Sequence, residues 1–565
     1  MKVERLRVNI VGICICALIF PPALFSSTKF EGASYFFGVL QSATAAQTPA
    51  KSGGVVCPVT AETAPPLSAP MAAALKLYRT GKFAEAIAAY NAIIPAGGTD
   101  AAAAYAGLTR VYLKQKNVPA AYDAAQKAVA LTPDRAPAIV ALGEVYFRQG
   151  KIPEAEGDFL KPLLACNLDA RAFLGLNLIH QASLNFKHAK SEIDQAYKLD
   201  PADPDIRREY LDTLRGPARI QALEAYLAGD NNDDDETLAS LRSELKLLES
   251  EASEPQKRCR LTSNITSTET TLERLLEDPT HIRAYGLRVK VNGVSSLLMV
   301  DTGASGIVID KKIAEKAGIK PVVQTTISGF GDQGEGSSSL GYADKIQIGN
   351  LEFENCFVEV TSGRSVLGDD GLIGANVFRH FLVDMDMPDE KLKLSPLPAI
   401  PDEPAAAASS DAKSEGQVHF HDRYVPPEMK DFSKVYLVRE HLLIPTSVND
   451  SASKLFMIDT GSWDNTLSLA TALEVTRINH EPDVHVHGLS GSVKNVYSAS
   501  KAKIRFSHFY QERQDLVAFD LTSTSNAFGT EISGVLGFAM LRMLDMKIDY
   551  RDGLVDFKYD EKRYH

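Results

Sequence analysis

The chain of 565 residues has a single tryptophan, Trp463, six cysteines and no excess of positive charge. Lys and Arg number 60 against 72 Asp and Glu, a formal charge of −12. That balance lacks the basic face of a nucleic-acid binder and excludes that class. No Cys-x-x-Cys pair or Cys/His spacing is present, so nothing points to a structural metal and none is expected. Cys14 and Cys16 lie in an N-terminal apolar run, which leaves Cys57, Cys166, Cys259 and Cys356 widely scattered. They read as small buried hydrophobes or as one disulfide whose partners the spacing does not reveal. After Phe25 no second long apolar run occurs, so no further membrane span is expected.

The N-terminus carries what the rest lacks. Lys2, Glu4, Arg5 and Arg7 precede an apolar run from Val8 to Phe25, and Ala43-Thr44-Ala45 offers a small-residue cleavage site. Residues 1–46 therefore read as an export signal, implying a periplasmic or secreted protein. The alternative is an uncleaved membrane anchor, because about eighteen apolar residues nearly span a bilayer. Pro21 and Pro22 interrupt the run and weaken that alternative. The length implies two to four domains.

Between residues 71 and 252 the sequence is helical and repetitive. Ala86, Ala121, Ala155 and Ala189 recur at spacings of 35, 34 and 34 residues. Ahead of them stand Gly81-Lys82-Phe83, Lys116-Asn117-Val118, Gly150-Lys151-Ile152 and Leu184-Asn185-Phe186, each a turn feeding a second helix. Pro133 and Pro201 fall where that helix should stop. Small residues at a period near 34 suit stacked helical hairpins, and the stretch resembles tetratricopeptide repeats over about four units. The resemblance implies a solenoid able to hold a protein partner. An acidic stretch follows, Asp230-Asn231-Asn232-Asp233-Asp234-Asp235, which lacks the glycine and closing glutamate of a calcium loop and reads as a solvated connection. Glu236–Glu251 reads as a capping helix, and Ser253–Asn264 as a linker.

From His281 the pattern changes to short strands. Leu287-Arg288-Val289-Lys290-Val291 alternates apolar and polar residues before an Asn292-Gly293 turn. This style fills residues 281–397. A Pro-, Ala- and Ser-rich linker covers 398–417, and a second strand-rich segment runs over 418–559. The expected architecture is multidomain: an α-helical repeat solenoid followed by two all-β barrel lobes.

Each lobe carries the same short motif. Val300-Asp301-Thr302-Gly303-Ala304 and Ile458-Asp459-Thr460-Gly461-Ser462 each close an apolar strand. Seventy-three residues after Asp301 stands Gly374 of Leu372-Ile373-Gly374; seventy-eight after Asp459 stands Gly537 of Val535-Leu536-Gly537. Both lead into an acidic strand, Val383-Asp384-Met385-Asp386 and Met546-Lys547-Ile548-Asp549. The two halves resemble retropepsin-like aspartic peptidase domains, fused as in pepsin-like enzymes. That resemblance implies Asp301 and Asp459 as catalytic carboxylates. It implies Thr302 and Thr460 bonding across the lobe interface, with Gly303, Gly461 and Ser462 in support, and Ile373-Gly374 and Leu536-Gly537 packed beside the loops. It also implies flap tips at Gly329-Phe330-Gly331 and, more weakly, Gly488-Leu489, and a peptide or protein as substrate.

The chemistry needs these residue types. Peptide hydrolysis by water asks for a base on one side of the bond and an acid on the other. Two carboxylates that share a proton supply both, because close like charges cannot both ionise. No cofactor or covalent intermediate is required. Ser462 is expected to donate its hydroxyl to Asp459, which Ala304 cannot do for Asp301, so Asp301 is expected to hold the shared proton. Asp464 is a third carboxylate in the loop with the capacity to disturb the pair. Trp463 reads equally as a subsite wall or as core, and His419/His421 and His485/His487 read as exposed strand residues. Two rival readings stay open: a non-catalytic peptide-binding scaffold, and a peptidase formed only when like lobes of two chains pair.

Overall fold

A computed structural model describes residues 17–19, 67–165, 168–253, 259–279, 281–327, 329, 336–361, 370–401, 420–481, 483–488 and 490–563. Of the sequence-based expectations, most of residues 1–46, Cys57, Cys166, the linker from 402 onward, His419, Phe330, Gly331 and Leu489 lie outside the described residues.

Helices run from Ala69 to Ser253, paired as the period implies: Ala69–Arg79 with Phe83–Ile93, Gly98–Lys114 with Val118–Leu131, Ala136–Arg148 with Ile152–Leu164, and Ala170–Ala182 with Phe186–Leu199. The four aligned alanines, Ala86, Ala121, Ala155 and Ala189, are all buried. The turn inside each pair needs a left-handed residue, and Gly81, Lys116, Gly150 and Leu184 all adopt positive φ, between 58° and 70°. Glycine fills two of these places and the other two accept the steric cost. Asn117, Asp169 and Asp203 cap the following helices by accepting backbone N–H bonds. Where aromatic rings press on a neighbouring helix, only glycine fits: a β-carbon on Gly107 would sit 2.3 Å from Tyr90 and one on Gly175 2.4 Å from Phe159.

Both β lobes start from a hairpin. In lobe one His281–Val291 pairs with Val294–Asp301, and in lobe two His441–Val448 pairs with Lys454–Asp459. A strand inserted from later in each lobe then runs parallel to the motif strand: Gly371–Gly374 beside Leu298–Asp301, and Gly534–Gly537 beside Phe456–Asp459. The registers coincide, with Gly374 opposite Asp301 and Gly537 opposite Asp459. Lobe one begins earlier than the sequence pattern suggests. Thr268–Asp278 pairs with His281–Val291, and Arg260–Leu261 pairs with the strand Leu351–Thr361 inside the segment expected to be a linker.

That early segment is also tied covalently. Cys259 forms a disulfide with Cys356, closing a loop of 97 residues. Cross-links of this span constrain the unfolded chain, typically by about 2–4 kcal/mol. Reduction, or Cys356→Ala, is expected to lower unfolding free energy by about 2–4 kcal/mol; urea titration with and without reductant measures it.

The acidic strands of the two lobes pair with one another. Leu382–Asp386 lies antiparallel to Asp545–Asp549, joining both lobes in one sheet, and the core beneath runs continuously across them. Asp545 and Asp549 are pushed up to about 6, by burial first and then by the neighbouring carboxylates Asp384 and Asp552 respectively. Their folded values exceed the usual 3.8, so folding takes up protons between those limits. Their contribution is most favourable below the lower limit and is lost as pH rises through the upper one. The melting temperature is expected to fall by roughly 2–4 °C per kcal/mol lost from pH 4.5 to pH 7.5, and Asp545→Asn is expected to flatten that slope in a calorimetric series.

The helical unit is docked on lobe two. Phe186 N–H donates to His421 O at 3.0 Å, Thr530 Oγ1 donates to Phe147 O at 2.8 Å, and His188 Nδ1 lies 2.7 Å from Asp422. Phe159, Leu176 and Ile179 of the helices share an apolar cluster with Leu455, Phe528 and Ile532 of the lobe. The last helix, Asp235–Ser253, lies against the strand Pro321–Ile327 of lobe one.

Candidate active site

The loops carrying Asp301 and Asp459 meet at the lobe interface, within one chain. Thr302 N–H donates to Thr460 Oγ1 at 3.0 Å and Thr460 N–H donates to Thr302 Oγ1 at 2.9 Å. Each hydroxyl then passes on a bond, Thr302 to Ile458 O at 2.8 Å and Thr460 to Val300 O at 2.9 Å. A hydroxyl is the smallest group that both accepts and donates, so the pair of threonines closes a reciprocal buried clasp. All four bonds are shielded from water, where an unmade bond costs more than a made one yields.

The glycines bring the carboxylates together. A β-carbon on Gly303 would sit 2.3 Å from Asp459 Cγ, and one on Gly461 would sit 2.5 Å from Asp301 Cγ. Each aspartate therefore fills the space that the other lobe's glycine leaves empty. Gly303 N–H holds Asp301 Oδ1 at 2.8 Å; Gly461 N–H and Ser462 N–H hold Asp459 Oδ1 at 2.9 and 3.1 Å. Both carboxylates are fully buried, and the Oδ2 atom of each has no hydrogen-bond partner among the described residues. The inner oxygens are thus fixed by the backbone, while the outer ones are buried with no backbone or side-chain donor of their own among the described residues.

Their acidities separate as a shared proton requires. Asp301 is raised well above the usual carboxylate range, by burial first and then by the charge and close approach of the Asp459 carboxyl. Burial also raises Asp459, but the approach of the Asp301 carboxyl and the two backbone donors oppose it, leaving it pushed up to about 7. The two acids titrate as a coupled pair, with the stronger upward push on Asp301. The asymmetry has a different origin from the expected one. Ser462 acts on Asp459 through its backbone N–H, while its hydroxyl points to Asp464 O at 3.4 Å.

Asp464, the third carboxylate, turns away from the pair and is held by both terminal nitrogens of Arg513, at 3.0 and 2.8 Å. Its charge is answered there. Trp463 is half-buried against the joint core, with its ring 6.1 Å from that of Phe538. Gly329 N–H of lobe one donates to the buried Ser490 of lobe two at 3.1 Å, and Gly488 lies in the strand just before. His487 accepts or donates to Ser492 at 2.8 Å, and no metal-binding cluster occurs among the described residues.

Several contributors carried no signal in the sequence. Asn465, fully buried, accepts from Gly537 N–H at 2.8 Å, which ties the motif loop of lobe two to its neighbouring strand. Asn376 does the corresponding work in lobe one by accepting from Gly306 N–H at 3.0 Å. His441, 2 % exposed, begins the strand that pairs with the Asp459 strand; burial lowers its pKa and its Nε2 has no partner among the described residues. Tyr550 is buried with its hydroxyl unpartnered among those residues and its pKa raised, by burial first and then by Asp301.

Residues 287–377 match the aspartyl protease family model. The match holds Asp301, the clasp residue Thr302 and the packed Leu372-Ile373-Gly374 strand. No curated protein matches the chain in sequence. Solved structures similar to parts of it include a retropepsin-like aspartic protease from Rickettsia conorii, at 23% identity over 24% of this chain and 94% of that one, TM-score 0.18. They also include a tetratricopeptide repeat protein from Parabacteroides merdae, at 18% identity over 32% of this chain and 72% of that one, TM-score 0.23. A third is Pseudomonas aeruginosa pilF, at 18% identity over 33% and 85%, TM-score 0.22.

Proposed function

We propose that the chain is an aspartic endopeptidase in which Asp301 and Asp459 act together on one water. Asp459, the ionised member, takes a proton from the water as it attacks the peptide carbonyl. Asp301 gives its proton to the carbonyl oxygen; Asp459 then passes the proton it took to the nitrogen as the C–N bond breaks, while a hydroxyl of the diol returns its proton to Asp301 and the carbonyl re-forms. The observation that supports this most directly is the packing of each carboxylate against the other lobe's glycine, under a reciprocal threonine clasp. The clasp itself joins the lobes, but the two buried acids beside it cost stability, which favours a functional role for them. The Cys259–Cys356 disulfide and the basic-then-apolar N-terminus agree with an exported protein.

The test is cleavage of an unfolded protein substrate by the purified chain between pH 3 and pH 8, read by mass spectrometry of the products. Because both acids are raised, the acid limb of the rate profile is expected well above the ordinary aspartate value, toward the value of about 7 of Asp459. Peptide binding without cleavage at any pH would replace this reading with the non-catalytic scaffold.

A further inference from the structure

Asp459 and Gly537 stand at the near ends of two parallel strands, and the helical unit holds the far ends. Phe456 pairs with Gly534 where the strands begin, and just before them Ser533 N–H donates to Leu455 O at 2.9 Å. The turn of the third helical pair abuts that spot: a β-carbon on Gly150 would lie 3.2 Å from Glu531 O and 3.4 Å from the Leu455 side chain. Phe147 O accepts from the fully buried Thr530 Oγ1 at 2.8 Å, and Arg148 donates to Asn526. The loop that feeds the strand Gly534–Gly537 is thus fastened to the helices at two places.

The outer face of the two strands is covered from the same side. Leu455, Met457 and Val535 share an apolar cluster with Ile152, Phe159 and Leu176 of the helices. The alternate residues, Phe456, Ile458 and Leu536, belong to the joint core of the lobes. Lobe one covers the matching positions itself, where Leu297, Met299 and Leu372 pack with Leu275 and Ile327. It also ties the start of its inserted strand with its own side chain, Asp370 accepting from Leu297 N–H at 2.9 Å. Leu275 lies in Thr268–Asp278, the strand with which lobe one begins early. The helices supply to lobe two a cover that lobe one makes for itself.

We propose that the helical unit is a positioning element of the site, which through Phe147, Arg148 and Gly150 sets where Asp459 stands against Asp301. A strand passes displacement along its length, and four residues span only about 13 Å. The far end has no slack to absorb it, because each carboxylate fills the space the other lobe's glycine leaves. The effect on rate rests on the proposed hydrolysis; the positioning does not.

The test compares two changes in the full chain: Thr530→Val, which keeps the shape and loses the donor to Phe147 O, and Thr530→Ser, which keeps the donor. Kinetics give one readout and fluorescence of Trp463, the single tryptophan, gives another from the Asp459 loop itself. Thr530→Val is expected to lower kcat by about tenfold with KM nearly unchanged, a fraction of what a full 1 Å misplacement costs. The acid limb of its profile is expected at lower pH, because water admitted by looser packing relieves the burial that raises Asp459. Trp463 is expected to be quenched more readily by acrylamide. Thr530→Ser should restore all three. Tyr78→Phe, which removes the bond from the first helix to Asp205, should lower the melting temperature and move none of them. Unaltered kcat and Trp463 quenching in Thr530→Val overturn the inference, as do equal effects from Tyr78→Phe. If the native chain cuts nothing, the peptidase reading falls and Trp463 quenching alone decides the positioning. Should Thr530→Val not fold, Arg148→Gln is expected to give the same three changes, and their absence refutes the inference.

Discussion

Asp301→Asn and Asp459→Asn, made separately, are each expected to lower kcat/KM for peptide cleavage by at least about a thousandfold. Acid–base partners contribute roughly 10²–10⁴ in rate, and here one residue of each kind depends on the other. A thousandfold loss corresponds to about 4 kcal/mol of barrier. Asparagine keeps the shape and can still accept from Gly303 or Gly461 N–H, so KM is expected to move little. Thermal stability should hold or rise, because each change removes a buried acid that folding must keep protonated or pay to ionise. The measurement is steady-state kinetics on one peptide with melting curves on the same preparations. Full loss from both variants means the two lobes make one site. Loss from only one would mean that the other aspartate is structural and that the water is activated differently.

Gly303→Ala is expected to cost about as much as removing an acid, although it adds only a methyl group. The added carbon would lie 2.3 Å from Asp459 Cγ, a distance no real contact allows, so the loop or the carboxylate must shift. Overpacking of this kind typically costs about 1–3 kcal/mol in stability. A displacement near 1 Å at a reacting group costs about a hundredfold in rate. The expected signature is a fall of at least about a hundredfold in kcat with a melting loss of only a few degrees. The reason is close approach and not backbone freedom, since Gly303 is not among the positive-φ glycines. Gly461→Ala, which would meet Asp301 Cγ at 2.5 Å, should behave alike. A Gly303→Ala chain with unaltered kcat would mean that Asp459 is not where catalysis needs it.

Much of this site was readable along the chain because its parts are local. Asp-Thr-Gly ends a strand in each half, and the second glycine stands at a near-equal distance, so the duplication announces two similar lobes. The helical period was readable for the same reason: the buried alanines and the left-handed turns at 81, 116, 150 and 184 recur at fixed spacing. What escaped depends on partners far apart in sequence. Asp464 looked like a threat to the pair because Arg513 is 49 residues away. Ser462 was expected to use its hydroxyl, yet a backbone N–H does that work, and no residue type records which atom will donate. Cys259 and Cys356 are separated by 97 residues, and their partnership follows from the pairing of Arg260–Leu261 with Phe353–Glu354. The acidic stretch misled only in part: Asp230, Asp234 and Asp235 are exposed as composition suggests, while Asn232 is buried and Asp233 pairs with Lys114 and Arg208, which are distant in sequence.

The joining of both lobes in one polypeptide has a consequence for how such a cleft changes over generations. In an assembly of identical halves every mutation arrives twice, so a change helpful on one side of the bound peptide is imposed on the other. Here the halves already differ, with Ala304 in one motif at the place that Ser462 holds in the other. Each can drift alone, so under the proposed peptidase activity the residues before and after the cut bond would be read by unlike walls. A sequence recognised in that way would have no reason to be palindromic.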